Sequence, residues 1–191
     1  MLFTKKNRVY AEEQQTKEEI KNPEGDVLLK INLRFPNIRC PRNHPLEKDA
    51  VKFYKKLREG FEGFCKTELL TIAKEARKTN PEGFTPFSAL SKWENTFENE
   101  KFISLVLDFS VSDGNSKPDT ERKTQIWEKE TGRLCSFSYF FQSDQEKKVL
   151  WEALGEENKK RFSKELFALT ENSFEFYLKT ENGFEKFLFP R

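Results

Sequence analysis

Ile103-Ser104-Leu105-Val106-Leu107-Asp108-Phe109-Ser110-Val111 is the stretch whose reading decides the fold. Ile103, Leu105, Leu107, Phe109 and Val111 line one face of an extended chain, while Val106 and the preceding Phe102 lie on the other. A strand of this period that is apolar on much of both faces belongs inside a sheet. Just upstream, Trp93 to Phe97 reads as a partner strand, joined through a turn at Asn99-Glu100. Downstream, Asp113 to Asp119 is a loop by composition. Arg122 to Lys129 returns as a strand, and Glu130-Thr131-Gly132-Arg133 turns again, with Gly132 supplying a positive φ. Leu134 to Phe141 follows as another strand or extended aromatic segment. These segments predict an antiparallel meander.

Further upstream, Leu29, Ile31, Leu33 and Phe35 alternate with Lys30, Asn32 and Arg34, which predicts a half-buried strand closed by Pro36 and Pro41. A helical pattern then runs through Leu46, Ala50, Phe53, Leu57, Phe61, Phe64, Glu68, Ile72 and Ala76. Pro45 suits its first turn and Asn80-Pro81 stops it. Leu69 can replace Glu68 in the apolar stripe. Gly60 and Gly63 each weaken the middle by roughly 1 kcal/mol relative to Ala, which predicts a kink or close backbone packing there. Residues 1–25 are charged and weakly apolar, an N-terminal arm or edge strand preceding a single domain over residues 26–191.

Towards the C-terminus, Ser143-Asp144-Gln145-Glu146 matches a capping box. Val149, Leu150, Ala153 and Leu154 give the helix that follows a buried face, and Gly155 can cap its end. A second short helix is expected from Glu157 to Leu166. Phe174 to Lys179, a turn at Glu181-Asn182-Gly183, and Phe184 to Phe189 make a hairpin. The expected fold class is therefore α+β: an antiparallel meander sheet against one long helix, with two shorter helices before a C-terminal hairpin.

Composition narrows the function. The 191 residues include twenty Phe, 34 Lys and Arg, and 32 Asp and Glu, for a net charge of +2. A core built on Phe packing inside a very polar shell follows. So balanced a charge gives no electrostatic reason to expect nucleic acid as a partner, since binders usually carry a basic face. No run approaches the ~20 apolar residues of a membrane span, and Lys5, Lys6 and Arg8 are followed by none of the apolar residues a secretory signal requires. The chain as it stands reads as cytoplasmic, or as extracytoplasmic if it has been cut from a longer one. Three widely spaced cysteines, Cys40, Cys65 and Cys135, read as reduced thiols.

Reactive constellations are sparse. His44 is the sole histidine; it sits at a helix entry, where a polar structural role outweighs acid–base work or a pairing with Cys40. Cys65 and Cys135 read as small buried hydrophobes. Neither CxxC, HxxxH nor a calcium-type acidic loop occurs, so no metal and no cofactor is expected. Carboxylates are plentiful, but the sequence pairs none across a cleft. No catalytic residue is assigned. Among the aromatic residues, mostly core by type, Trp127 and Tyr139 are the binding candidates; Trp127 lies on the strand face opposite Ile126.

The order of elements resembles the domain of unknown function found in RsiV-type anti-sigma factors and beside the catalytic domain of PdaC-type polysaccharide deacetylases. The residues that carry it are Phe35-Pro36-Asn37-Ile38 at the end of the first strand and the stripe from Ala50 to Leu57. Ile103 to Val111, Thr131-Gly132-Arg133, Leu134 to Phe141, and Phe174-Glu175-Phe176-Tyr177-Leu178 complete it, so the resemblance spans residues 27–191. The family's central loop is Gly-rich with a His, whereas Asp113 to Asp119 has one Gly and no His. Lys179 to Gly183 likewise replaces a Pro-Tyr context. The resemblance implies the fold and a binding or sensing role, with a protein or cell-wall glycan as partner, in an extracytoplasmic setting.

The sequence thus points to a non-catalytic binding or sensing domain of unknown ligand. The alternatives are a small carboxylate-dependent hydrolase and a structural domain that self-associates through exposed edges of its terminal hairpin.

Overall fold

The computed structural model describes residues 8–191; the start of the expected N-terminal arm, residues 1–7, lies outside them. Strands β1 (Tyr10–Lys21) and β2 (Val27–Arg39) open the chain, and a helical run over residues 47–79 follows. That run contains α1 (Lys52–Phe64) and α2 (Leu70–Thr79), with π-helical turns at Glu47–Val51 and Cys65–Leu69. Next come β3 (Phe87–Glu98), β4 (Phe102–Ser112) and β5 (Asp119–Glu128), then the single turn α3 (Phe137–Phe140) and α4 (Asp144–Lys159). Strands β6 (Phe167–Leu169), β7 (Ser173–Thr180) and β8 (Gly183–Pro190) complete the chain. The strands form a five-stranded sheet in the order β1-β2-β3-β4-β5 and a three-stranded sheet in the order β6-β7-β8.

A mixed α+β class is what the alternating and helical periods called for, and β4 lies inside its sheet, not at an edge. The all-antiparallel meander needs correction. β1 and β2 pair antiparallel over Tyr10 to Lys21, but β2 and β3 pair parallel, Leu29 opposite Phe87 through Leu33 opposite Ser91. The long helix is the reason: parallel neighbours require a crossover of a dozen residues or more, and residues 47–79 supply it. Asn99–Lys101, by contrast, is far too short for such a crossover, so β3 and β4 join as a hairpin.

Pro36 does not close β2, which continues to Arg39. Pairing with β3 ends at Leu33, and the Ser91 hydroxyl accepts from the Arg34 amide and donates to the Arg34 carbonyl, 3.0 Å in each case. Pro36 therefore sits beyond the ladder that its missing N–H would have broken.

The helix keeps its expected stripe at Leu46, Ala50, Phe61 and Leu69 but departs from it towards its C-terminal end. Leu46, Ala50, Tyr54, Cys65, Leu69 and Ala73 are buried, whereas Ile72 is 54% exposed. Wide π turns stretch the repeat towards four residues and rotate Ile72 out, so Leu69 and Ala73 take the inner positions. Gly60 and Gly63 are exposed, with nothing near a Cβ built on either. No close approach explains them, so we expect Gly60→Ala to stabilise the protein by about 0.5–1 kcal/mol through helix propensity. A lower urea midpoint for that variant would contradict the open surroundings of Gly60.

The chain divides into two compact units. The first takes in Val51–Trp93, Leu107–Glu121 and the described residues up to Pro41. In it Leu29, Ile31, Leu33 and Phe35 of β2 are buried, and Phe109 of β4 stands between Phe35 (5.7 Å) and Phe61 of α1 (5.1 Å). The apolar face of β2 and β4 is thus the one covered by the helix.

The second unit comprises Arg42–Ala50, Glu94–Val106 and Arg122–Arg191. Its core joins Phe102, Ile126, Cys135, Phe137, Phe141, Leu150 and Leu154 to the inner residues of β6 and β7. The Ser104 hydroxyl accepts from Thr96 (2.9 Å) and from the Leu169 amide (3.0 Å), which satisfies a buried donor of β6.

Leu134 to Phe141 is not a strand. Leu134 bridges Trp127, and Phe137–Phe140 then coil into one helical turn. Coiling brings Phe137 and Phe141 into a stack at 4.5 Å and turns Phe140 onto Phe174 at 5.4 Å. Tertiary aromatic packing overrides the local preference for an extended chain.

Ser143 does cap α4 with both bonds of the capping box. Gly155 breaks α4 with φ +67°. The helical segment beyond it ends at Lys159, not Leu166; Phe167–Leu169 pairs with β7 instead. The terminal hairpin matches its sequence signal, Thr180 pairing with Gly183.

Candidate functional site

Period-two alternation places the side chains of one groove. Because Leu29, Ile31, Leu33 and Phe35 turn towards the helix, Asn32 and Arg34 of β2 face the other way. Leu90 and Lys92 of β3 do likewise, opposite in phase to buried Phe87 and Ala89. On β4, Phe109 meets Phe61, so Asp108 and Ser110 stand on the outer face with them. The groove enclosed by these residues and Ser91 has a volume of about 300 Å³ and lies wholly within the first unit.

Asp108 is its most telling member. The residue is 5% exposed, and the Lys92 ammonium, on a side chain reaching into solvent, lies 3.4 Å from its carboxylate. A carboxylate removed from water is costly unless paired, and Lys92 supplies a partner. Around it stand groups of both senses. Gln15 donates its amide to Asn32 at 3.0 Å, Arg34 reaches within 4.0 Å of Glu13, and Ser110 shares a 2.8 Å hydrogen bond with Thr120. Leu90, 44% exposed, adds an apolar step. Such a set can bind a neutral polar ligand by hydrogen bonds from both donors and acceptors. Pair-of-carboxylates hydrolysis would ask for a second acid, and among the described residues Asp108 is the one carboxylate lining the groove. The signal in the sequence is the charge at Asp108, followed two steps later by Ser110, in a strand whose residues from Phe102 to Phe109 are all buried.

The residues singled out by sequence lie elsewhere. Trp127 is 4% exposed. Tyr139 donates its hydroxyl to Glu128 at 2.7 Å, and Thr131 donates to the other Glu128 oxygen at 2.7 Å. The Lys101 ammonium sits above the Tyr139 ring at 5.7 Å. Those bonds hold Glu128 below the usual carboxylate range and push the Tyr139 phenol up. Trp127 is buried and Tyr139 half-buried, so the two do not form an exposed aromatic patch.

Burial, with a smaller push from nearby Glu62 and Glu128, raises the thiols of Cys65 and Cys135 to about 11. Both are protonated at neutral pH and poor nucleophiles. Among the described residues, no group of three or more His, Cys, Asp and Glu is placed to hold a metal ion, and no helix is long and apolar enough to cross a membrane.

His44 accepts the Leu46 amide on Nδ1 at 3.2 Å at the helix entry. Desolvation first, and the Lys129 charge second, lower its pKa from the ordinary 6.5. Its native form therefore binds fewer protons than its unfolded form. The contribution to stability is complete above about pH 6.5 and is lost as pH falls through that value. We expect the urea midpoint to drop between pH 7.5 and 5.5, and to drop less in His44→Gln, whose amide oxygen keeps an acceptor. Equal slopes in the two proteins would rule His44 out as the cause. The lowered carboxylates, Asp26, Asp113, Glu128 and Glu146, lose their contribution only at more acid pH, as it falls below their ordinary values of 3.8 and 4.5.

Fold and groove define an α+β protein with a helix on one face of a mixed sheet and a polar recess on the other. No protein-family profile matches its sequence, and no curated protein is significantly similar to it. Solved structures do share its fold. A member of the DUF3298 family from Bacteroides fragilis superposes with a TM-score of 0.67 at 12% identity, over 97% of this chain and 91% of that one. A DUF3298 family protein from Pseudomonas aeruginosa gives a TM-score of 0.51 at 10% identity, over 97% and 92% of the two chains. The neighbours are thus domains of unknown function, and the likeness concerns the fold.

Proposed function

We propose that this chain is a non-catalytic binding or sensing domain that recognises a cell-wall glycan or a protein bearing polar side chains through the groove around Asp108. The observation that carries this reading is a nearly buried carboxylate at the floor of an open 300 Å³ recess. Hydroxyl-rich ligands suit it, because Asp108 and Asn32 accept hydrogen bonds while Lys92, Arg34 and Ser110 donate them. The resemblance in element order to the domain found in RsiV-type anti-sigma factors and beside the catalytic domain of PdaC-type polysaccharide deacetylases agrees with a binding or sensing role. The protonated cysteines and the structurally engaged His44 fit a domain that binds without turnover.

Titration calorimetry with soluble peptidoglycan fragments, alongside a pull-down on the source organism's cell-wall fraction, tests the proposal. Losing a charged hydrogen bond costs about 1.5–3 kcal/mol. Asp108→Asn should therefore weaken retention at least tenfold, and the recovered ligand should be chemically unchanged. Retention of nothing from wall or lysate, or equal retention by Asp108→Asn, would remove the support for this groove. Cleavage of the bound glycan would favour a hydrolase instead.

A further inference from the structure

A second recess, in the other compact unit, has the opposite chemistry. Leu150 and Leu154 are the buried face of α4, yet Trp151 beside them is 46% exposed and Val149 is 45% exposed. Trp151 is held in place: its ring meets Phe162 edge-on at 5.8 Å, and the Lys159 ammonium lies 5.6 Å from its centroid. Phe162 in turn packs edge-on against Phe137 at 6.0 Å. These rings and Leu150 floor a groove of about 410 Å³.

Lysines form its rim. Lys147 and Lys148 come from α4, and Lys164 from the segment between α4 and β6. Asp144, the acidic residue of the lining, is tied to Lys147 at 3.3 Å. Lys148 reaches Glu152 only at 3.9 Å. Lys164 has the Phe137 ring, 5.8 Å away, as its contact, and no carboxylate within ion-pair distance among the described residues. The rim is therefore net positive above an apolar floor.

We propose that this groove docks a partner-protein segment in which one aromatic or large aliphatic side chain is flanked by Asp or Glu. The anchor would cover Trp151 and Phe162, and the flanking carboxylates would meet Lys164 and Lys148. A half-exposed, rigidly held Trp is the type of residue that dominates such interfaces, and the unpaired lysine supplies charge complementarity. An anionic membrane surface would meet the same lysines without needing an apolar anchor between acids, so the test includes it as a competing outcome.

The test is a random twelve-residue peptide library selected on the whole protein and counter-selected on Trp151→Ala. Selected peptides should carry an apolar anchor between acidic residues. By fluorescence polarisation they should bind wild type at least tenfold more tightly than Trp151→Ala or Lys164→Glu, and more weakly in 0.5 M salt. Both substitutions are on the surface, and an unchanged melting curve shows that the fold is intact. Neutral or basic winners, no Trp151-dependent winner, or Trp151-dependent binding to phosphatidylglycerol vesicles in place of peptides would each overturn the proposal.

Discussion

Phe176→Ala should lower the stability of the protein by about 3–5 kcal/mol, the range for emptying a buried aromatic site. Phe176 is fully buried on the central strand of the three-stranded sheet. It stands opposite Phe167 on β6 and Phe187 on β8, with ring centroids at 5.8 Å and 6.4 Å. Phe162 at 5.3 Å, Phe141 at 6.0 Å and Phe137 at 6.4 Å close over it from the α3–α4 region. Neighbours held in place by strands on both sides cannot collapse into the space, so transfer and cavity terms add. For a chain of this size the melting temperature should fall by roughly 10 °C or more. Leu188→Ala, on the same hairpin but 61% exposed, should shift stability by no more than ~0.5 kcal/mol. A loss below ~1 kcal/mol for Phe176→Ala would mean that the aromatic cluster does not hold this unit together.

Gly132→Ala is the second large effect, expected to cost on the order of 3 kcal/mol from two sources. The turn after β5 puts Gly132 at φ +73°, with its amide donating to the Glu128 carbonyl at 2.9 Å. A Cβ there would also lie 2.5 Å from the backbone carbon and oxygen of Pro45. Backbone cannot swing aside as a flexible side chain would, so either the turn or the helix entry beside His44 must shift. Gly155→Ala carries backbone strain alone. Gly155 has φ +67° and ψ 165°, a region essentially closed to residues with a Cβ, and open space around it, so its cost of about 1–3 kcal/mol is strain without a clash. Destabilisation of less than ~1 kcal/mol by Gly132→Ala in urea titrations would show that the Pro45 contact adds nothing.

Elements set by local rules are legible in the residues themselves. Alternation in Leu29 to Phe35 and Ile103 to Val111 marks two inner strands, Ser143 and Glu146 mark a helix start, and Gly132 marks a left-handed turn. Local patterns mislead where long-range packing decides. Leu134 to Phe141 has strand-like composition, but its rings find more contact by coiling, so one helical turn replaces the strand. β6 is three residues long and is held by its β7 partner, which no local pattern can announce.

The candidate groove is half legible. Asp108 stands out as a charge inside an apolar strand, but its neighbours cannot be named from the sequence. Asn32, Arg34 and Lys92 come from strands that the sequence separates by a long helix and that only the parallel pairing of β2 with β3 brings side by side. Trp151 is hidden for the opposite reason: its helix is plain from the capping box, but exposure depends on what packs against each face.

By itself, then, the sequence determined the inner strands, the long helix, the capped start of α4 and the terminal hairpin, because these depend on spacing and on single residues. The parallel pairing, the π-widened helix stripe and the two grooves were decided by tertiary structure, because each depends on contacts between residues tens of positions apart that have no local energetic signature.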